Sequence, residues 1–419
     1  MANQGNLAEV QEHPNIDSYV SFFTKGGKDV FANAYNFQEA EMAKQFNMYP
    51  YYQVIDRNEA ATCVIEGRET IMLGSNNYLG LTIHPEVRQA AIKAIAEHGP
   101  SLTGSRILNG THRLHLELEE QLAGFLGKES CLVFTTGYQA NLGFLSAFLK
   151  KGTMLAMDKG DHASIYDGAR LGKGETVGFA HNNPADLDRV LSAVPDDIGK
   201  MVMVDGVFSM EGDVVDLPQI QKVAQKYQAR LVVDDAHGIG VMGPGGRGTV
   251  SHFNLNDKVD IIIGTFSKTL ASIGGFVAGE AKVIDFIKHF GRPMVFSASL
   301  PPASAAAALK ALEILKREPE RVGRVNANAH YLRENLLSRG FNLGHSQTPI
   351  MPIIVGDEII TLTLWRELLN EGIYVNSVLY PAVPREMSLL RMSVTSEHTR
   401  EQLDKVVAAL VKLKNKHRW

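Results

Sequence analysis

The sequence is poor in cysteine and in long apolar runs, and each shortage excludes a class of protein. Its 419 residues include 2 cysteines. Cys63 and Cys131 form no CxxC pair, so we expect reduced thiols in a cytosolic protein and no resident metal. Apolar runs stay well short of the roughly 20 residues that a membrane span needs. These features predict a soluble protein.

The sequence also lacks a large excess of either positive or negative charge. The formal net charge is −4, and lysine and arginine form no blocks, so neither nucleic acid nor an anionic membrane is expected as the main partner. The N-terminus is polar and lacks the apolar core of a secretory signal, which favours a cytoplasmic location. The basic C-terminal stretch KLKNKHRW is interpreted as a solvated helix end. The alternative is peripheral contact with the inner face of the membrane.

The order of sequence patterns predicts a segment followed by two domains. Residues 1–60 are expected to form an N-terminal helical segment in which AYNFQEAEMAKQFN is one amphipathic helix. Residues 61–305 are expected to form a large α/β domain, and residues 306–419 a smaller α+β domain. One long helix, from SAAAALKALEILKREPE to NLLSRG, is predicted to lead from the first domain into the second.

Short apolar strands alternate with helices of about ten residues across the large domain, which predicts a mostly parallel sheet covered on both faces. Ligands of such sheets bind beyond the carboxyl ends of the strands. The polar residues at those ends are therefore candidates for the site. They are Thr135, Thr136, Asp205, Asp234, His237 and the segment 265–268.

Two neighbouring strand ends suggest a specific cofactor. LVVDDAHG carries Asp234 and GTFSKT carries Lys268. Pyridoxal 5′-phosphate (PLP) needs a lysine for its Schiff base and a carboxylate that keeps its pyridine nitrogen protonated. A structural Asp–Lys ion pair explains these two residues alone equally well.

Two further strand ends fit the same cofactor. In FTTGYQAN a strand meets a helix start, and the backbone N–H groups of Gly137 and Tyr138 could hold a phosphate. Taken alone, this stretch is more typical of an ordinary helix cap. His162 in DHASIYDG could stack on the cofactor ring, although a lone histidine more often has a structural role.

A series of motifs in order along the chain resembles the α-oxoamine synthases. These PLP enzymes of fold-type I condense an amino acid with an acyl thioester and release CO2. The resemblance runs from about Gly67 to the C-terminus. It is carried by SNNYLGL, GSRILNGT, TGYQAN, DHASIYDG, DGVFSMEGD, VDDAHGIGV, GPGGRG, GTFSKT, FSASLPP and LLRMSV.

The resemblance implies a role for each candidate residue at the cofactor. Lys268 would form the Schiff base and later move the Cα proton, and His162 would stack on the ring. Asp234 would pair with the pyridine nitrogen and His237 with the phenolic oxygen. The remaining cofactor residues implied are Gly137, Tyr138, Ser209, Thr265, Ser267 and, from the second subunit of a homodimer, Ser297.

The amino-acid substrate would be bound through its carboxylate by Arg391, together with Asn76 and Asn77. Within the family, GTFSKT, GSRILNGT and the long N-terminal segment resemble serine palmitoyltransferases, which use L-serine and a long-chain acyl-CoA. Leu379 stands where many of those enzymes carry arginine, a pattern closer to 2-amino-3-ketobutyrate CoA ligases. A sister enzyme that uses glycine or alanine, such as that ligase or an 8-amino-7-oxononanoate synthase, is the alternative.

Overall fold

The structure, a computed structural model, describes residues 29–419, so the polar N-terminal stretch on which the location was argued lies outside it. The strands are, in chain order, β1 (Arg57–Asn58), β2 (Thr62–Ile65), β3 (Arg68–Met72), β4 (Ser130–Phe134), β5 (Thr153–Asp158), β6 (Glu175–Phe179), β7 (Gly199–Asp205), β8 (Arg230–Asp234), β9 (Ile261–Thr265), β10 (Gly275–Gly279), β11 (Ile350–Ile354), β12 (Ile373–Tyr374), β13 (Asn376–Val378) and β14 (Leu389–Ser393).

The helices alternate with these strands through the first two thirds of the chain. They are α1 (Ala32–Asn36), α2 (Glu39–Gln45), α3 (Pro85–His98), α4 (Arg113–Leu126), α5 (Gly137–Phe148), α6 (Ala163–Leu171), α7 (Pro184–Ser192), α8 (Leu217–Lys226), α9 (Thr249–His252), α10 (Ala281–Phe290), α11 (Arg292–Phe296), α12 (Pro302–Arg317), α13 (Glu320–Leu337), α14 (Glu358–Asn370) and α15 (Arg400–His417).

A seven-stranded sheet in the order β4-β10-β9-β8-β7-β5-β6 forms the centre of the molecule. β10 runs antiparallel to both of its neighbours, and the pairs from β9 to β6 are parallel. Both faces of the sheet are covered: in β8, Leu231 and Val233 belong to one apolar core and Val232 to another. The predicted mostly parallel α/β sheet is therefore confirmed.

A second core lies under the three-stranded sheet β11-β14-β13 and the helices α13 to α15. Trp365 and Leu403 are fully buried in it. The hairpin β2–β3 joins this core through Cys63 and Ile71, although the predicted ranges put it in the large domain. The first core in turn includes Leu312 of α12, so the division between the cores does not follow the predicted boundary at residue 305.

Two predicted helices are each interrupted. AYNFQEAEMAKQFN forms α1 and α2, because the chain is extended at Phe37 between them. The predicted long helix is divided into α12 and α13 at Glu318, which leaves the helical conformation before Pro319. A residue before proline is pushed towards extended geometry, which accounts for this break. Within residues 29–419 no helix combines the length and the apolar character needed to cross a bilayer.

Candidate active site

A cavity of about 360 Å³ opens at the carboxyl edge of the seven-stranded sheet. Asp205 ends β7, Asp234 ends β8 and Thr265 ends β9, and all three line this cavity. Asp205 and Asp234 are directly paired across their two strands. The start of α5 and Lys268, three residues beyond β9, complete the wall. The strand-end prediction thus brings together residues that lie more than 100 positions apart.

Asp234 is buried, and neutral donors hold its carboxylate. Asn141 Nδ2 donates a hydrogen bond of 2.7 Å to Asp234 Oδ2, and the backbone N–H of Ala236 donates one of 3.1 Å to Oδ1. Asn141 also donates to Ser164 Oγ at 2.7 Å. The carboxylate is therefore fixed in place in the cavity, where it can accept a hydrogen bond from a protonated ring nitrogen.

Lys268 stands at the meeting point of this cavity and a larger groove. Burial lowers the pKa of its amine to about 8, and the positive charge of Arg391 acts in the same direction. The carboxylates of Asp205 and Asp234 oppose that shift without cancelling it. A substantial share of the amine is therefore neutral at slightly alkaline pH and able to act as a nucleophile or base.

His237 lies on the wall shared by the cavity and the groove, close to a tyrosine from a distant part of the chain. Its Nδ1 is 2.7 Å from the hydroxyl of Tyr78, and both side chains are buried. Burial, helped by the positive charges of Lys268 and Arg391, lowers the pKa of His237 well below its usual value. The ring is therefore neutral.

The N-terminus of α5 forms another part of the cavity lining. Thr136 caps this helix by accepting a hydrogen bond of 3.0 Å from the backbone N–H of Gln139. A Cβ atom at Gly137 would lie only 2.8 Å from Thr265 Cβ, so glycine keeps the space between the helix and β9 open. The hydroxyls of Thr265 and Ser267 lie 2.8 Å apart on the facing side. Unpaired first-turn amides beside hydroxyls are suited to a phosphate.

His162 and Tyr138 are anchored at the rim. His162 caps α6, and its Nδ1 lies 2.7 Å from Ser164 Oγ. Tyr138 donates a hydrogen bond to Asp167, which raises the pKa of its phenol to about 12. His162 lines both the cavity and the larger groove, so its ring is available to a ligand that spans the two.

Arg391 lies in β14, on the second core, and its guanidinium points into the groove beside Lys268. Its Nε donates to the carbonyl of Ser209 at 2.6 Å, and its terminal nitrogens donate to Ser393 Oγ and Asn76 Oδ1, each at 3.1 Å. These partners are all neutral. The charge of the guanidinium is therefore left to attract an anion that enters the groove.

The groove next to Lys268 has a volume of about 1100 Å³. Much of its lining comes from residues 37–52, from α14 and from the segment that follows β13. Much of the lining is apolar, for example Ala43, Met48, Leu362 and Leu379. It is therefore suited to a long apolar ligand that reaches the lysine.

Comparison with known proteins agrees with this geometry. The family model for aminotransferase class I and II matches residues 68–410. A serine palmitoyltransferase from Sphingobacterium spiritivorum is 45% identical over 90% of this chain and 95% of that protein. An 8-amino-7-oxononanoate synthase from Thermoanaerobacter pseudethanolicus is 42% identical, again over 90% and 95%. A solved serine palmitoyltransferase variant from S. paucimobilis, with a bound adduct of PLP and myriocin, has a TM-score of 0.90 at 35% identity and covers 93% of this chain and 99% of its own.

The chain belongs to the α-oxoamine synthases. It is a PLP-dependent acyltransferase with the fold-type I architecture that its sequence motifs predict.

The α-oxoamine synthase cavity fits PLP by its own donor set. The helix start at Gly137, the hydroxyls of Thr265 and Ser267, the Asp234 carboxylate and Lys268 all line this one cavity. Within the part of the chain that the structure describes, Asn141 Oδ1 and Asp205 Oδ1 are buried without a hydrogen-bond partner. Burial and the charge of Asp234 raise the pKa of Asp205 well above its usual range. Buried polar atoms of this kind are typical of a site built around a ligand.

Two of the predicted site residues lie elsewhere. Asn77 is buried, and its amide donates to Thr82 Oγ1 at 2.8 Å, so it stabilises the turn after SNNYLGL and is not available beside Arg391. Ser297 follows α11, where its Oγ accepts a hydrogen bond of 3.4 Å from the amide of Gln139. Within one chain Ser297 therefore lies behind the helix start and not in the cavity.

Sequence reasoning missed two residues that contact the site and a histidine bridge that lies outside its lining. Asn141 is one helical turn after Gly137, and this spacing could have drawn attention to it. Tyr78 lies inside the SNNYLGL motif, but its contact with His237 joins positions 159 residues apart. His181, which lines neither the cavity nor the groove, lies between Asp158 Oδ1 at 2.9 Å and Asp213 Oδ2 at 3.2 Å. Its surrounding sequence, FAHNNP, gives no signal for this bridge.

Proposed function

We propose that this α-oxoamine synthase condenses L-serine with a long-chain acyl-CoA such as palmitoyl-CoA to give 3-ketodihydrosphingosine, CO2 and CoA, the first step of sphingolipid synthesis. The observation that carries the proposal is the largely apolar groove of about 1100 Å³ that leads to Lys268. Ligand pockets for small molecules span roughly 300–1000 Å³, so this groove has room for more than an amino acid. The 45% identity to a serine palmitoyltransferase supports the same assignment.

The amino acid binds through its carboxylate at Arg391. Asn76 and Ser393 hold the guanidinium from one side and the carbonyl of Ser209 from another, so its direction is fixed before the substrate arrives. A planar guanidinium can grip both carboxylate oxygens at once. Such a grip orients the substrate's Cα–H bond towards Lys268.

Lys268 Nζ takes the Cα proton and later returns a proton to the product. Its lowered pKa lets the neutral amine form near neutral pH, as a base requires. Bound PLP supplies the electron withdrawal that makes this proton acidic. At Cα, the bonds to hydrogen and to the carboxylate break, and bonds to the acyl carbon and to a new proton form. The thioester C–S bond breaks, CoA leaves as a thiolate that takes up a proton, and the carboxylate leaves as CO2.

The acyl chain occupies the groove between residues 37–52 and α14. Ala43 and Leu362 both line it. Ala43→Trp should fill part of this space and shift the preferred donor to a shorter chain. Ala34→Trp, which alters an exposed residue on α1 outside the groove, is the matched control.

The active enzyme is a homodimer in this proposal. Leu108 of GSRILNGT and Phe296 of FSASLPP are 80% and 76% exposed, and Ser299 N–H donates to the Gly104 carbonyl at 2.9 Å, so the two motifs adjoin. A second copy of the chain would cover these apolar side chains and could bring its own Ser297 to the phosphate. Sedimentation of Leu108→Glu should show a monomer with weakened PLP binding.

The deciding experiment is an absorbance titration of the PLP-bound protein with L-serine, glycine and L-alanine, followed by CoA release with palmitoyl-CoA and shorter donors. We expect saturable spectral change with serine and release of CoA with palmitoyl-CoA. Lys268→Ala should lose the absorbance band of lysine-bound PLP. A preference for glycine or alanine would move the enzyme to the sister activities, to which the 42% identical 8-amino-7-oxononanoate synthase belongs.

A further inference from the structure

The hydroxyl of Tyr78 occupies a position between the two halves of the site. It lies 2.7 Å from His237 Nδ1, on the cofactor side, and 3.4 Å from Asn76 Oδ1, which contacts Arg391 on the substrate side. Tyr78 is 1% exposed. Arg391 and Ser393 also form hydrogen bonds with this hydroxyl, and both act as donors to its oxygen because both lower its pKa. Because water is excluded, the hydroxyl proton of Tyr78 must therefore go to His237 or to Asn76.

The geometry decides between the acceptors. A distance of 2.7 Å is ideal for a hydroxyl donor, whereas 3.4 Å is at the limit of a hydrogen bond. Asn76 Oδ1 already accepts hydrogen bonds from Arg391 at 3.1 Å and from Ser393 at 3.3 Å. The hydroxyl of Tyr78 therefore donates its hydrogen bond to His237 Nδ1.

The protonation states are compatible with this direction. Burial raises the pKa of the Tyr78 phenol to about 12, so it keeps its proton at physiological pH. The lowered pKa of His237 keeps its ring neutral, and a neutral imidazole has one nitrogen that accepts and one that donates.

We propose that Tyr78 is a positioning residue that fixes His237 in the tautomer with its proton on Nε2, the nitrogen left to meet a ligand in the cavity. His237 then presents a hydrogen-bond donor to the cofactor at all times, which favours a negatively charged oxygen there. The inference depends on PLP lying against His237 and is independent of which amino acid the enzyme uses.

The first test needs no substitution. Nitrogen-15 chemical shifts of imidazole distinguish a protonated from an unprotonated ring nitrogen, and the chain has 14 histidines. The spectra of the PLP-bound wild type and of His237→Asn, both with ring-labelled histidine, should differ by the signals of one histidine. Those signals should report a neutral ring with its proton on Nε2. If the signals that vanish report Nδ1–H, the proposal is overturned.

The second test is Tyr78→Phe, which removes the hydroxyl and keeps the ring. Without the donor, the His237 signals should move towards a mixture of tautomers. The kcat with whichever amino acid the wild type prefers should fall about tenfold, the effect of losing one well-placed hydrogen bond. The KM for that amino acid should change less than the kcat does, since Arg391 loses its hydrogen bond with the Tyr78 hydroxyl but keeps its contacts with Ser209, Ser393 and Asn76.

Tyr331→Phe is the matched control, because it removes a hydroxyl bonded to Asp404 on the surface, far from the site. It should leave the His237 signals and both kinetic constants unchanged. An unaltered Nε2–H tautomer in Tyr78→Phe, or equal loss in kcat and gain in KM, would contradict the proposal. The tautomer readout is independent of substrate, so failure of the serine assignment can be told apart from failure of this inference.

Discussion

Asn141 donates a hydrogen bond of 2.7 Å to Asp234, and the two side chains are 2% and 6% exposed. The bond joins the first turns of α5 to the end of β8. It connects the helix whose start is proposed to hold the phosphate of PLP with the carboxylate proposed to hold the pyridine nitrogen. The side-chain amide of Asn141 thus links the part of the site proposed for the phosphate to the part proposed for the pyridine nitrogen.

Asn141→Ala should weaken PLP binding about tenfold, because a hydrogen bond to a buried charged group contributes roughly 1.5–3 kcal/mol. The dissociation constant can be measured by titrating cofactor-free protein with PLP and following absorbance. Asn335→Ala, on the outer part of α13, is the control and should bind as the wild type does. An unchanged dissociation constant in Asn141→Ala would show that Asp234 needs no support from this amide.

The proton transfer assigned to Lys268 should speed up as the pH rises through about 8, because only the neutral amine accepts a proton. Exchange of the serine Cα proton with deuterium, followed by NMR without acyl donor, isolates this step. Lys268→Ala should show no enzyme-dependent exchange. A rate that is flat between pH 7 and 9 would be incompatible with this amine as the base.

Arg391→Lys should raise the KM for the amino acid by a factor of about 10–100, because lysine keeps the charge and loses the planar pair of donors. The rate at saturating substrate should change less. Steady-state kinetics with varied amino acid measures both constants. Arg324→Lys, at an exposed position of α13, provides a charge-matched comparison. Equal KM values in the two variants would remove Arg391 from the carboxylate site.

His181 should make the folded protein sensitive to alkaline pH. Burial disfavours its charge, but hydrogen bonds to Asp158 and Asp213 outweigh that effect and raise the pKa to about 10. The unfolded value is about 6.5, so the stabilisation is complete below that pH and is lost as pH rises towards 10. The free energy of unfolding at pH 6 should therefore be about 1 kcal/mol higher for the wild type than for His181→Gln. The expected difference is this small because about a third of the side chain is exposed, and solvent screens its charge.

Urea unfolding at pH 6, 8 and 9.5 measures this difference, which should shrink with increasing pH. His345→Gln, at an exposed position, should follow the wild type at each pH. A difference that stays constant over the range would mean that His181 contributes by packing and not by its charge.

The arrangement of the large sheet could be predicted from sequence because its inner strands are short apolar runs. The edge strand β6 shows no such run, because Phe179 is its single buried residue. The break between α12 and α13 was missed because the apolar pattern continues on both sides of Pro319.

The site followed from strand ends and motifs, which placed Asp234, Thr265 and Lys268 in one cavity. What sequence could not provide were contacts between distant segments, such as Tyr78 with His237. For the same reason Asn76 and Asn77 looked equivalent, although only Asn76 faces Arg391 and Asn77 turns towards Thr82. Neighbours along an irregular segment point in different directions, and only the fold determines which of them reaches the ligand.

Lys268 belongs to the half of the molecule built on the seven-stranded sheet, and Arg391 belongs to the half built on the second core. A substrate that contacts both residues would link the two halves and restrict their relative motion. Occupancy should therefore slow amide hydrogen exchange in β14 and in the hairpin β2–β3, which make no part of the cofactor cavity. Substrate affinity and the protection of the second core from exchange should therefore fall together when Arg391 is replaced.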